Sequence, residues 1–202
     1  MTQNTNPSSS SAILRAQLRK IGLSKRAALS APERATFSQQ ACTHLIRHLE
    51  EKGEDFSRLI LAGYWPIKSE IDPRPLFHAI ALRGGYLALP VVLDSSSMIF
   101  RAYSQDTMLE PMRFGTLGPG KEHATVVPNL IIVPLSAFDS CCHRLGYGGG
   151  YYDRAVEVLK QQGHQIRLLG LGFSCQEVEF IPPEEHDLIV EGIFTEKGLL
   201  KG

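Results

Sequence analysis

No C-x-x-C pair occurs in this chain, and no histidine cluster stands at zinc spacing beside Cys42, Cys141, Cys142 or Cys175. The absence argues against a structural zinc site and makes free thiols in a reducing cytosol the expectation. A surplus of one charge is also missing: 21 Lys and Arg face 21 Asp and Glu. A broad nucleic-acid footprint needs a basic face, so nucleic acid is not an expected partner, although a small anion pocket built from a few placed cations remains compatible. No apolar run approaches the roughly 20 residues that cross a bilayer, so no membrane span is expected. Met1 to Ser10 is polar and Ser-rich and lacks the charged start and apolar stretch of a secretory signal. These residues read as a disordered tail, followed over 11–202 by a single domain, cytoplasmic and monomeric.

What is present alternates. Leu14, Leu18, Ile21 and Ala28 recur as one helical face, with Arg15, Arg19, Lys20, Lys25 and Arg26 around it. Ser30 and Glu33 form a capping box with Pro32 in the first turn, which starts a helix expected to reach about Glu50. Arg58 to Tyr64 reads as a buried strand. Asp72 caps a helix through Pro75 to Arg83, and Tyr86 to Leu93 is the next strand. Met98 to Tyr103 reads as a more exposed strand, and the Gly- and Pro-rich stretch from Leu109 to Asn129 as loop. Leu130 to Leu135 is a continuous apolar run typical of a central parallel strand. A helix from about Tyr151 to Gln162 and a strand from Ile166 to Gly172 follow, with short strand candidates at Leu188 to Val190 and Gly192 to Thr195. Repeated βαβ order predicts a three-layer α/β/α sandwich with a mostly parallel sheet.

The informative segment lies between a central strand and a helix: Arg144, Leu145, Gly146, Tyr147, Gly148, Gly149, Gly150, Tyr151, Tyr152, Asp153 and Arg154. Ligands of open α/β sheets bind at that edge. Glycines let backbone N–H groups approach phosphate oxygens, and the helix N-terminus adds partial positive charge. Arg144 supplies a full charge, and Asp153 in the first helical turn suits a magnesium ion. The plain alternative is a tight turn that needs glycine only for its backbone angles. Tyr151 occupies the third-glycine position of G-x-G-x-x-G, so the segment is not a dinucleotide fingerprint.

Arg144 to Arg154 resembles the signature of the 5-formyltetrahydrofolate cyclo-ligases, the methenyltetrahydrofolate synthetases. Tyr64 to Asp72, Leu87 to Pro90 with Met98 to Arg101, Gly172 to Gln176 and Pro183 to Asp187 match further blocks in order. The resemblance implies a fold like the ribose-phosphate isomerase and CoA-transferase group. It also implies magnesium-assisted, ATP-dependent closure of 5-formyltetrahydrofolate to 5,10-methenyltetrahydrofolate. ATP phosphorylates the formyl oxygen, the neighbouring nitrogen attacks the activated carbon, and phosphate leaves. In that scheme Arg144 and Asp153 are catalytic. Arg15 and Arg19, one helical turn apart, clamp the nucleotide phosphates with Arg144 and the segment Leu145 to Tyr152. Asp153 and Asp187 hold magnesium. Glu70 accepts hydrogen bonds from the pterin ring, Trp65 and Tyr64 pack on its faces, and Tyr147 and Tyr152 line the substrate. Without the resemblance, Arg15 and Arg19 also fit a solvated helix face, Asp187 a turn cap, Trp65 a core residue and Glu70 a surface one.

Two departures from the family pattern are visible. Gly118 stands where many members carry an acidic residue before the proline, and Arg15 replaces a frequent lysine. Two other classes remain in view: a sugar-phosphate isomerase, which needs a base and no ATP, and a non-catalytic folate or nucleotide binder. Gly115 to Glu122 nearly spells the P-loop pattern, but Glu122 replaces the hydroxyl residue and no helix is expected to follow, so this stretch reads as a surface loop.

Overall fold

A computed structural model describes residues 7–185 and 187–202. Its centre is a seven-stranded sheet in the order β11-β10-β9-β6-β1-β2-β3. The strands are β1 (Ile60–Ala62), β2 (Tyr86–Val92), β3 (Met98–Tyr103), β6 (Leu130–Pro134), β9 (Arg167–Leu171), β10 (Ile193–Thr195) and β11 (Gly198–Leu200). Pairings β2–β1, β1–β6, β6–β9 and β9–β10 are parallel, whereas β3 and β11 close the two edges antiparallel. This is the expected three-layer α/β architecture. Leu130, Ile131, Ile132 and Val133 are fully buried, as a strand covered on both faces requires.

Helices α2 (Ala31–Glu51) and α3 (Arg74–Leu82) cover one face. Leu45, Leu49, Leu76, Phe77 and Ile80 meet Leu61, Leu89, Leu130, Ile132 and Phe194 there. Helix α4 (Tyr151–Gln161) covers the other, where Ala155 and Val156 join Ala62, Ala88, Phe100, Ile131 and Val133. Burying each large aliphatic side chain in these layers contributes about 1.5–3 kcal/mol. The capping box of α2 forms as read: Ser30 Oγ accepts from the Glu33 N–H while Glu33 accepts from the Ser30 N–H.

Several elements depart from the sequence expectation. Helix α1 spans Pro7–Ala28, so Pro7 to Ser10 of the expected tail are helical, while Met1 to Asn6 lie outside the described residues. The buried face of α1 is not the one expected. Leu14 and Ile21 are exposed, whereas Arg15, Gly22 and Arg26 are buried. Helix α1 lies across the carboxyl ends of the strands, with Gly22 so close to the Ser136 carbonyl that a Cβ would stand 2.1 Å from its oxygen. Helix α3 is capped at Pro73 without a side-chain bond; Asp72, the expected cap, instead accepts the Arg74 N–H. Strand β3 is half-buried rather than exposed. The expected loop contains an antiparallel hairpin of β4 (Leu109–Pro111) and β5 (Leu117–Pro119), and a second hairpin of β7 (Ala137–Phe138) and β8 (Arg144–Leu145) precedes α4. Leu188 to Val190 forms no strand. Gly118 packs its backbone on β2, where a Cβ would stand 3.2 Å from the Pro90 carbonyl oxygen, a tight contact that a larger residue could make only if the neighbour gave by a few tenths of an ångström.

Candidate functional site

Three arginines of α1 reach the segments beyond the strand ends: Arg26 the loop after β1, Arg19 the Gly-rich turn and Arg15 the stretch of Pro182 and Asp187. Arg15, Arg19 and Arg26 are spaced four and seven residues apart, which puts all three on one helical face. Arg15 is buried and committed to protein partners. Its two terminal nitrogens donate to Asp187 Oδ2 and Oδ1 at 2.7 and 2.6 Å, and Nη1 also reaches the Pro182 carbonyl at 2.7 Å. Burial works against the Asp187 charge, but the Arg15 fork and the Glu184 N–H hold its carboxyl below the usual range. Arg19 donates Nε to the Gly146 carbonyl at 3.1 Å. Its terminal nitrogens have no hydrogen-bond partner among the described residues. Burial, and then the neighbouring Arg15 charge, lower its pKa, as expected of a cation lacking an acid in contact.

The Gly-rich segment follows β8 and turns into α4. Gly148 and Gly150 have φ of 94° and 64°, a region glycine enters without strain, and Gly150 is the N-cap of α4. Arg144 is buried and donates Nη2 to Asp153 Oδ1 at 2.8 Å; the same oxygen accepts the Leu188 N–H at 3.3 Å. That second bond attaches the segment carrying Asp187 to the first turn of α4, so the Arg144–Asp153 and Arg15–Asp187 pairs stand side by side. The Tyr152 hydroxyl is buried with no hydrogen-bond partner among the described residues. Burial, and then the Glu70 charge, push its pKa well up.

Glu70 lies in the loop after β1. Its Oε2 accepts the Ile67 N–H at 2.8 Å. Burial raises Glu70 above the ordinary glutamate range, opposed by the Ile67 N–H, the Tyr147 hydroxyl and the Arg26 and Lys68 charges. The other two residues expected at the substrate are engaged elsewhere. Tyr64 is a core residue whose hydroxyl donates to the Ile71 carbonyl. Trp65 is partly buried edge-on to Tyr103, with the Arg74 guanidinium 5.2 Å from its ring. Sequence reasoning missed Arg26 and Ser69. The signal for Arg26 was its register with Arg15 and Arg19.

Among the described residues, no three His, Cys, Asp or Glu side chains are arranged to hold a metal ion. Asp153 and Asp187 form a two-carboxylate set, which suits magnesium carried mainly by phosphate oxygens and water better than a cage made of protein. Asp153 fits that arrangement, since both bonds it accepts fall on Oδ1. The P-loop look-alike is no phosphate cradle: Gly118 and Pro119 lie in β5, a turn and no helix follows, and Lys121 is exposed. Lys121→Ala is therefore expected to leave the affinity for inorganic triphosphate within about a factor of two, since exposed substitutions rarely exceed ±0.5 kcal/mol. Titration calorimetry with triphosphate checks this, and a larger loss would return the loop to the site.

A mostly parallel α/β fold with a glycine turn, a helix N-terminus and clustered arginines is an arrangement suited to an anion. The sequence narrows this further. Residues 8–196 match the 5-formyltetrahydrofolate cyclo-ligase family, to which the chain belongs, among the ligases of folate metabolism. It is 29% identical over 181 residues to the 5-formyltetrahydrofolate cyclo-ligase of Haemophilus influenzae, covering 87% of this chain and 91% of that one. The Escherichia coli K12 protein of the same name is 28% identical over 177 residues, covering 85% and 94%. The NMR structure of Aquifex aeolicus 5,10-methenyltetrahydrofolate synthetase has a TM-score of 0.72 at 32% identity, covering 93% of this chain and 92% of that one. The Mycoplasma pneumoniae 5,10-methenyltetrahydrofolate synthetase has a TM-score of 0.71 at 25% identity, covering 90% and 98%.

Proposed function

We propose that the chain uses ATP to close 5-formyltetrahydrofolate to 5,10-methenyltetrahydrofolate, releasing ADP and phosphate. The observation that carries the ATP half is Arg19, a half-buried guanidinium beside the Gly146–Gly150 turn with no carboxylate bonded to it among the described residues. Such a cation beside exposed backbone N–H groups favours a polyanion. The folate half rests on Glu70, an acceptor-only carboxylate in the loop after β1, suited to the N–H edge of a pterin.

In this reading the formyl oxygen takes the γ-phosphoryl group and ADP leaves. The neighbouring folate nitrogen then attacks the formyl carbon, loses its proton, and expels phosphate as the ring closes. Phosphoryl transfer asks the protein for position and charge neutralisation rather than covalent chemistry. Arg19 and the turn hold the triphosphate, and Glu70 orients the pterin. Arg144, kept in place by Asp153, adds positive charge at the start of α4. Asp153 and Asp187 would hold magnesium, which supplies further neutralisation of the phosphate oxygens.

Mixing the protein with 5-formyltetrahydrofolate, ATP and magnesium is expected to produce the methenyl-folate absorbance, with none when ATP is omitted. Folate binding by titration calorimetry without any product would make the chain a binder instead.

A further inference from the structure

Arg154 ends the glycine-rich segment, and nothing in the phosphoryl-transfer scheme uses it. Its Nε donates to the Ser96 carbonyl at 2.9 Å and its Nη2 to the Gly149 carbonyl at 2.8 Å, and among the described residues it bonds to no carboxylate. We propose that Arg154 is a positioning residue for the phosphate turn: it clasps the Gly149–Gly150 peptide to the turn between β2 and β3, so that the Gly150 N–H stays open to a phosphate oxygen. This rests on the ATP reading above and deepens it.

The orientation follows from the geometry of the peptide unit. No peptide bond among the described residues is cis, and in a planar trans peptide the carbonyl and the N–H point in opposite directions. With the Gly149 carbonyl taken by Arg154, the Gly150 N–H faces away from the guanidinium, where no protein acceptor meets it among the described residues. Gly150 also makes room for the clasp: at its φ of 64° a Cβ would stand 2.6 Å from Arg154 Nη1. At Gly148 a Cβ would stand 3.9 Å from the Arg19 guanidinium, whose Nε takes the Gly146 carbonyl. Two arginines therefore bind carbonyls of the turn. Its N–H groups, at a helix start that favours an anion, have no protein acceptor among the described residues.

The clasp has a firm far end. Asp94 Oδ1 accepts the Ser96 and Ser97 N–H groups at 2.7 and 2.8 Å, which fixes the turn between β2 and β3. The Tyr151 hydroxyl reaches the Asp94 carbonyl at 3.4 Å, and the Arg154 guanidinium lies 5.1 Å from the Tyr151 ring centre. Nε and Nη2 share one edge of the planar guanidinium, so a single side chain sets the spacing of the two carbonyls. A lysine at this place offers a charge but no such edge.

The test uses two variants of the full chain: Arg154→Met, which keeps an unbranched stem beside Tyr151 and removes the donors, and Arg154→Lys. Binding of inorganic triphosphate is measured by titration calorimetry, the Gly150 amide is followed by NMR, and KM values and thermal melting are recorded alongside. In wild type the Gly150 amide proton is expected to move downfield on adding triphosphate, as an N–H does on gaining an anionic acceptor. Arg154→Met is expected to bind triphosphate about tenfold more weakly, a change of about 1.4 kcal/mol, with a broadened Gly150 amide and a folate KM within about twofold of wild type. Arg154→Lys should resemble Arg154→Met rather than wild type. Wild-type affinity in a folded Arg154→Met overturns the proposal. Full recovery by Arg154→Lys overturns it too, because charge alone would then suffice. If Arg154→Met does not fold, Arg154→Lys decides by the same amide and affinity readings. Wild type that binds neither triphosphate nor ATP defeats the ATP reading itself, whereas a Gly150 amide as sharp in Arg154→Met as in wild type defeats the clasp whatever the ligand.

Discussion

Replacing Arg19 by alanine is expected to raise the ATP KM by one to two orders of magnitude while the folate KM and the melting temperature change little. The expectation comes from what Arg19 does and does not touch. Among the described residues its single protein hydrogen bond goes to the Gly146 carbonyl, and no acid is bonded to it. Removing it therefore strands no buried charge, the event that makes loss of one ion-pair partner costly. What is lost is reserved for an anion. One charge-assisted bond to phosphate is worth about 1.5–3 kcal/mol, and 1.4 kcal/mol is a factor of ten. Arg19→Lys should fall between the two, because an ammonium keeps the charge but not the planar fork. Steady-state kinetics against each substrate separates the outcomes. A selective rise in the folate KM would mean that Arg19 serves an acidic group of the folate and that the two subsites are assigned the wrong way round.

Arg15 shows why such an assignment needed the structure. In sequence Arg15 and Arg19 are equivalent cations one turn apart. In the fold Arg15 is consumed by Asp187 and the Pro182 carbonyl, whereas Arg19 keeps its terminal nitrogens. Arg15 therefore acts on the site chiefly by fixing the segment that carries Asp187. Helix α1 misled for a related reason. Its apolar residues mark a face by hydrophobicity, but the buried positions include Arg15 and Arg26, which find polar partners in Asp187, Ser69 and Tyr147, so Leu14 and Ile21 stay exposed while Leu18 packs on Ala137, Leu145 and Ile181. Periodicity reports a helix correctly and its buried side only when the neighbour is apolar.

The central strands were legible because Leu130 to Val133 and Leu168 to Leu171 are continuous apolar runs, a pattern that sheet burial on both faces produces. The capping box of α2 was legible because it is local chemistry over four residues. The hairpins β4–β5 and β7–β8 were not. Their strands are two or three residues long, too short for any alternation to show, and tertiary packing on β2 and α1 stabilises them. The glycine turn and Glu70 could be placed at the strand ends from sequence. The contacts of Arg26 could not, since only the fold brings residues 26, 69 and 147 together.

The Asp153→Asn variant should lose turnover by several orders of magnitude while remaining folded. Asparagine keeps an oxygen where Asp153 Oδ1 accepts the Arg144 and Leu188 donors at 2.8 and 3.3 Å, so the link between α4 and the Asp187 segment persists. The negative charge disappears, and two effects follow. Arg144, only 6% exposed, loses its neutralising partner, which costs some stability and is seen as a lower melting temperature. The site also loses one of two carboxylates able to meet a magnesium ion, and metal neutralisation of phosphate charge is worth several kcal/mol in a phosphoryl transfer. The effects are separable by titrating magnesium against turnover. A metal-ligand role predicts a weakened magnesium dependence curve together with a lower plateau. A purely structural role predicts an unchanged magnesium midpoint with activity that tracks the folded fraction. Near wild-type turnover at saturating magnesium would remove Asp153 from the metal set and leave it as the partner that holds Arg144 in place.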